Sequence, residues 1–278
     1  MIYRISSDNC TLMQIITNFG DDFMDLFVKE TGKENGESIV FITGGGLSGW
    51  MWDKQLEGFT DYHCLVPDLP EHGKSKHVSP LTIETAAEQI IELIKERAHN
   101  KKSHIVGISL GGQLVIQILG MAPEVVDHAM TSGTVVHQHY GKVALTIIPV
   151  VGAIFKPLLS TDFFIKKIME KGRYPPEHFE NFKKDTKEFN TYGLTKRMLS
   201  ENAAFRIPKG LCKVENPVLI AMGETEVDLV HESAEDLNKC LPNSRIFKAP
   251  GLFHVWNLES PELFNKTVRA WINDKELP

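Results

Sequence analysis

Residues 103–119, Ser-His-Ile-Val-Gly-Ile-Ser-Leu-Gly-Gly-Gln-Leu-Val-Ile-Gln-Ile-Leu, restrict the fold more tightly than any other stretch of the chain. A short apolar strand around Ile105 and Val106 runs into Gly107-Ile108-Ser109-Leu110-Gly111-Gly112, and an apolar helix carrying Leu114, Val115, Ile118 and Leu119 follows at once. Strand, tight turn and helix thus meet at a serine. Glycine two residues to either side of Ser109 suits such a turn, because neighbouring backbone comes too close there for side chains. The new helix directs backbone N–H groups and the positive end of its dipole at the serine, a setting that favours a developing negative oxygen.

The chain is long enough to surround that strand with a sheet. Its 278 residues, 42% apolar and 24% charged, suit one large α/β domain or two small ones. Thirty Lys and Arg against 36 Asp and Glu give a formal charge of -6, and basic residues cluster no further than pairs such as Lys101-Lys102, which argues against a nucleic-acid partner. Cys10, Cys64, Cys212 and Cys240 are scattered, without C-x-x-C spacing or companion histidines, so free thiols and no metal are expected. Residues 1–24 read as a poorly patterned leader, and Arg4, Ser6, Ser7, Asp8 and Asn9 make its start too polar for a secretory signal. A reducing, cytoplasmic setting is the expectation. The most apolar run, residues 143–159, is broken by Pro149 and by Lys156-Pro157 and falls short of the ~20 residues of a membrane span.

From residue 25 the pattern becomes regular. Strands are expected over 26–32 and 38–42, with turn chemistry between them at Gly32-Lys33-Glu34-Asn35-Gly36. The loop Thr43-Gly44-Gly45-Gly46-Leu47-Ser48-Gly49 exposes backbone, and it lacks the Gly-Lys-Ser/Thr ending of a phosphate-binding loop. Trp50 and Trp52 beyond it read as core. A strand over 62–66 leads into Pro67-Asp68-Leu69-Pro70-Glu71-His72-Gly73-Lys74-Ser75, where Asp68 reads as a turn acceptor and His72 as part of the turn. Ile83, Ala87, Ile90 and Ile94 form one helical stripe within 82–98. A strand over 125–132 completes an alternation that implies a parallel sheet covered on both faces.

The alternation then stops for some seventy residues, too many for a loop. The apolar run is followed by helical segments at 162–171, 176–189 and 193–204. His137 and His139 near the start of this stretch have no evident third metal ligand. Strands over 217–223 and 244–249, a helix over 233–241 and a last helix from Pro261 to Trp271 complete the chain.

The Gly107-Ile108-Ser109-Leu110-Gly111 turn resembles the nucleophile elbow of the α/β-hydrolase superfamily, and the other loops follow that family's order. The resemblance, to the capped serine-hydrolase branch, implies an α/β fold with a core over 25–136 and 206–278 and a helical cap over 137–205. It implies that Ser109 is the nucleophile, that His254 in Gly251-Leu252-Phe253-His254 is the base, and that Glu226, three residues past Gly223, is the acid, with Asp228 as its rival. It also points to the backbone N–H groups of Gly45 and Leu110 as the oxyanion hole. Three positions depart from the family pattern: Thr43 replaces a histidine, Glu71 replaces a glycine, and Phe253 precedes the base.

The activity so implied is hydrolysis of an ester or related acyl compound, a small-molecule substrate, through an acyl-enzyme and with no cofactor. The apolar run favours a hydrophobic acyl or alkyl group, with Ile147 and Ile154 as candidate contacts. Cleavage of a carbon–carbon bond in a β-diketone, acyl transfer and lactone opening remain open on this reading, as does a weakly catalytic ligand-binding receptor on the same fold.

Overall fold

The computed structural model describes residues 26–136, 142–189 and 192–278, so the leader and the pair His137 and His139 lie outside the described residues. Among the described residues seven strands form one sheet: β1 (Val28–Thr31), β2 (Ser38–Ile42), β3 (His63–Pro67), β4 (Ser103–Ile108), β5 (Val126–Ser132), β6 (Val218–Gly223) and β7 (Ser244–Ala249). Their order is β1-β3-β2-β4-β5-β6-β7. Only β1 runs antiparallel, against β3; the other pairs are parallel.

Strands β2, β4 and β6 are buried along their whole length because helices cover both faces of the sheet. The two-residue period of a strand sorts their side chains. Val40, Ile42 and Ile105 join a core beneath α2 (Ile83–Arg97), α3 (Leu110–Met121) and α8 (Asp228–Cys240). Ile39, Phe41, Val106 and Ile108 join the opposite core, beneath α1 (Asp53–Gly58), α9 (Trp256–Glu259) and α10 (Pro261–Ile272). Trp52 and Trp256 are fully buried in that second core, and the Trp256 indole N–H donates to Ser132 Oγ at 2.8 Å. Helix α2 begins where Thr82 accepts a bond from the Thr85 N–H at 3.1 Å, an N-cap that satisfies one of the first turn's free donors. Helix α8 starts at Asp228, five residues earlier than the expected 233.

Between β5 and β6 lie α4 (Lys142–Leu159), α5 (Asp162–Lys171), α6 (Phe179–Phe189) and α7 (Tyr192–Ala204). Polar bonds fasten this insertion to the core. Asp185 of α6 accepts from Ser48 N, Ser48 Oγ and Trp50 Nε1 at 2.7, 2.8 and 2.6 Å. Glu201 of α7 accepts from the first N–H of α2, Ile83 N, at 2.8 Å. Arg197 of α7 forks onto Glu71. Glu71 sits at φ 64, the left-handed backbone that glycine adopts without strain. Its carboxylate also accepts from Ser79 Oγ and Leu81 N, so four bonds hold a side chain where the family has none.

The cysteine expectation needs correction. Cys212 and Cys240 form a disulfide with Cα atoms 4.5 Å apart, joining the turn after the insertion to the last residue of α8. They are 28 residues apart in sequence, and only the packing of α8 against the core brings them together. Cys64 is a free, buried cysteine whose thiol is pushed up to about 12 by burial; Cys10 is outside the described residues. Two of four cysteines are therefore not free thiols, which removes the cysteine argument for a reducing compartment. Among the described residues no single helix is long and apolar enough to cross a membrane.

The sheet itself prepares a site. Strand β3 lies to one side of β2 and β4 to the other, so the chain reverses direction across the sheet between them, and the crevice at their carboxyl ends is where such folds bind ligands. Ile42 pairs with Gly107, which brings the loop after β2 beside the turn after β4. A Cβ on Gly107 would collide with the Gly111 carbonyl and lie 2.9 Å from Gly112 N. Gly107→Ala is therefore expected to cost about 1–3 kcal/mol or more of stability through backbone overpacking. Urea unfolding checks this; an unchanged midpoint would contradict the close approach.

Candidate active site

Ser109 closes β4 and caps α3 at φ 56, ψ -114, a strained conformation for a residue with a side chain. Backbone bonds enforce it: Ser109 N donates to Ser132 O at 2.8 Å, and Ser109 O accepts from Gln113 N at 3.1 Å as the first bond of the helix. The serine faces a cavity of ≈ 410 Å³. Gly45 and Leu110 line the same cavity, so the two sequence-predicted oxyanion donors stand with the nucleophile candidate.

The glycine loop is held by a residue that sequence reasoning assigned only to a turn. His72 is 3% exposed; its Nδ1–H donates to Pro70 O at 2.8 Å and its Nε2 accepts from Gly46 N at 2.9 Å. Burial depresses its basicity, against the opposing pull of the Pro70 carbonyl. Both nitrogens are therefore engaged, and the neutral ring fixes the loop that carries Gly45. Thr43, where the family has histidine, is buried with no hydrogen-bond partner for its hydroxyl among the described residues.

Across the cavity, His254 follows β7 and Glu226 follows β6. Glu226 Oε1 lies 2.7 Å from His254 Nδ1, with the carboxylate side chain 2% exposed and the imidazole 30% exposed. A carboxylate only accepts, so Nδ1–H donates in this contact, and in the neutral ring Nε2 then carries the lone pair. Gly133, at φ +57 after β5, permits the approach: a Cβ there would lie 2.8 Å from Glu226 Oε1 and 2.9 Å from His254 Nδ1. Asp228 is instead exposed, in the first turn of α8.

The wall supplied by the insertion differs from the expected one. Ile147 and Ile154 are 53% and 67% exposed and do not line the cavity. Their helix, α4, turns another side toward α7, and an apolar run in sequence does not say which side faces inward. Tyr174, Met198, Leu199 and Asn202 line the cavity in their place. Met198 Sδ would lie 2.7 Å from a Cβ on Gly45, so the thioether sits directly over the glycine loop. Sequence reasoning missed Met198, Gly133, Asp185 and the anchoring part of His72. The one local signal was for His72, in its Pro-Glu-His-Gly stretch.

A second polar group lies at the opposite, amino-terminal end of the strands. His104, Asp127 and His128 bring potential ligand atoms within 4.8 Å of one another. Within this group His128 Nδ1 and Asp127 Oδ1 are already hydrogen-bonded to each other at 2.8 Å.

The serine turn, the glycine loop and the histidine–carboxylate contact at the carboxyl ends of a parallel sheet define a hydrolase-type site. The family model for the alpha/beta hydrolase fold matches residues 37–261, and the chain belongs to that family of enzymes. An "AB hydrolase superfamily protein" of Gibberella zeae is 26% identical over 283 residues, covering 99% of this chain and 94% of that protein. Among solved structures, a thermophilic esterase from Thermogutta terrifontis aligns with a TM-score of 0.71 at 20% identity, over 90% of this chain and 93% of its own. The enol-lactonase of Burkholderia xenovorans aligns at 0.73 and 17% identity, over 89% and 96%.

Asp185 joins the insertion to the glycine loop, although burial raises its pKa against the pull of its Trp50 and Ser48 donors. Removing it leaves the half-buried donors of Ser48 and Trp50 unpaired. Asp185→Ala is expected to cost about 1–3 kcal/mol in urea unfolding; a change under about 0.5 kcal/mol would show the junction to be energetically idle.

Proposed function

We propose that this enzyme is a serine hydrolase of esters or related acyl compounds, with Ser109 as nucleophile, His254 as base and Glu226 as the acid that orients it. The observation that carries this reading is the 2.7 Å contact between Glu226 Oε1 and His254 Nδ1 at the wall of the cavity that Ser109 also lines. His254 Nε2 takes the proton from Ser109 Oγ as that oxygen attacks the substrate carbonyl carbon. Glu226 stabilises the imidazolium that forms. The N–H groups of Gly45 and Leu110 receive the developing oxyanion, and the strained turn holds them in place before the substrate arrives. His254 then returns the proton to the leaving alcohol, which departs from the acyl-enzyme. Water attacks that ester by the reverse use of the same histidine, releasing the acid and restoring Ser109.

The helices of the insertion serve in this reading as a cap that sets substrate shape. Leu110, Val135, Met198, Leu199 and Val230 give the cavity an apolar wall, and ≈ 410 Å³ suits a small to medium hydrophobic acyl or alkyl group. Gln113 and Asn202 add polar groups at its lining. Gln113 donates to Val135 O at 2.8 Å, while its amide oxygen has no partner among the described residues and could meet a substrate donor.

Ser109→Ala is expected to fold normally, to lose fluorophosphonate labelling and to hydrolyse short activated esters on the order of 10³-fold more slowly or worse. Retention of most turnover would overturn the nucleophile assignment. For the acid, Glu226→Gln is expected to lower kcat by up to about 10⁴-fold with little change in the unfolding midpoint, whereas Asp228→Asn stays within a few-fold of the parent. Steady-state assays of the two variants in parallel decide between them, and a reversed order would transfer the role to Asp228.

A further inference from the structure

Helices α4 and α5 turn an apolar surface to solvent that no other described residue covers. Ile148, Val151, Ile154, Phe155, Leu158 and Phe163 are each between 44% and 67% exposed. Large side chains in such a contiguous group mark an interaction surface, unlike isolated exposed apolar residues. A helix apolar on nearly every side is ordinarily buried in a core or in lipid. Here only part of α4 rests on the protein, against α7, with Pro149 buried.

The charge around this face identifies what it meets. Helix α4 contains no acidic residue, and α4 and α5 together carry five lysines against Asp162 and Glu170, in a chain whose formal charge is -6. Both acids are already neutralised, Asp162 by Lys183 at 2.7 Å and Glu170 by Lys167 at 2.8 Å. Lys166 and Lys171 are exposed beside the apolar residues. A two-fold contact between copies would bring these lysines toward their own equivalents, which repel. An anionic lipid surface complements them while its acyl region accepts the apolar side chains. The two helices bend by 117° at their junction and neither alone is long and apolar enough to span a membrane, which suits a surface resting on a bilayer.

We propose that the α4–α5 face docks this enzyme on bilayers containing anionic lipid. Gly172 and Tyr174, which follow α5 immediately, line the catalytic cavity, so a docked molecule would hold its cavity rim close to the lipid. Drawing a membrane-resident ester into the site is a consequence that rests on the esterase reading. Docking itself does not, and the Ser109→Ala variant should bind vesicles as the parent does.

The test is co-sedimentation of the full chain with vesicles of phosphatidylcholine, with or without about a third phosphatidylserine. Partition is expected to be roughly 10-fold stronger on the anionic vesicles and to weaken with salt. The double variant Val151→Asp, Phe155→Asp should lose on the order of 10-fold of that partition while keeping its circular dichroism and its turnover of a soluble short ester. Lys166→Glu with Lys171→Glu, which changes exposed charge and gives up only the Lys166 contact with the Phe179 ring, should weaken anionic but not neutral partition and serves if the first variant fails to fold. Absence of vesicle association, or association indifferent to both sets of substitutions, would overturn the proposal. So would a solution dimer that Val151→Asp, Phe155→Asp dissolves, since the partner would then be a second copy.

Discussion

Everything at this site depends on the backbone of Ser109 being held where a residue with a side chain does not choose to be. The φ of 56 is imposed from three directions: β4 hydrogen-bonds into the sheet up to Ile108, Ser109 N is tied to Ser132 O, and α3 begins at the next residue. Such strain persists only when the surroundings over-determine it. The surroundings here are the two central strands β2 and β4, buried on both faces, so the energy that holds the turn comes from the core rather than from the turn. The elbow and the sheet are therefore one unit, and the Gly107–Gly111 approach is where they touch.

The insertion is held by different physics. Its links to the core include a small set of buried or half-buried polar contacts, Asp185 with Ser48 and Trp50, Arg197 with Glu71, and Glu201 with the start of α2. These contacts are directional and set the position of the insertion, beside an apolar contact in which Ile165, Met169 and Phe182 join the core of Trp52 and Trp256. Two of the three end on loops that shape the site: Ser48 and Trp50 adjoin the glycine loop, and Glu71 is the neighbour of His72, which grips Gly46. Movement of the insertion is thereby coupled to the backbone that carries Gly45.

Features set by neighbours in sequence were legible there. The elbow, the Gly44–Gly46 loop and the strand-by-strand alternation are local patterns with one steric explanation each, and the strands lie within a few residues of their expected bounds. Features set by contact across the fold were not. The Cys212–Cys240 disulfide depends on how α8 packs, and Ile147 and Ile154 face outward because of which side α4 turns to α7. Gly133 is one glycine among 21 in the sequence, and only the positions of Glu226 and His254 give its missing side chain a meaning. His72 was visible as a turn residue, yet its bond to Gly46 crosses 26 positions.

Glutamate in place of a shorter acid is accommodated by the way two loops are sewn together. Glu224 N donates to Ala249 O at 2.9 Å, Thr225 N and Oγ1 donate to Leu252 O at 3.0 and 2.8 Å, and Gly251 N donates to Glu224 Oε2 at 2.7 Å. The segment that carries Glu226 and the segment that carries His254 are thus hydrogen-bonded to each other just before each reaches that residue. Gly223 lets them close up, because a Cβ there would run into the Leu252 carbonyl and lie 2.5 Å from that of Phe253. A long flexible side chain ordinarily loses rotamer freedom when it must hold a partner. At Glu226 that cost is limited by burial, which confines the side chain, and by Gly133, which leaves the carboxylate a slot of its own. Asp228 has neither support, being exposed on the first turn of α8. His254 is thus held by paired strand ends and a confined carboxylate, and in the proposed triad the chain length of the acid matters less than the rigidity of what presents it.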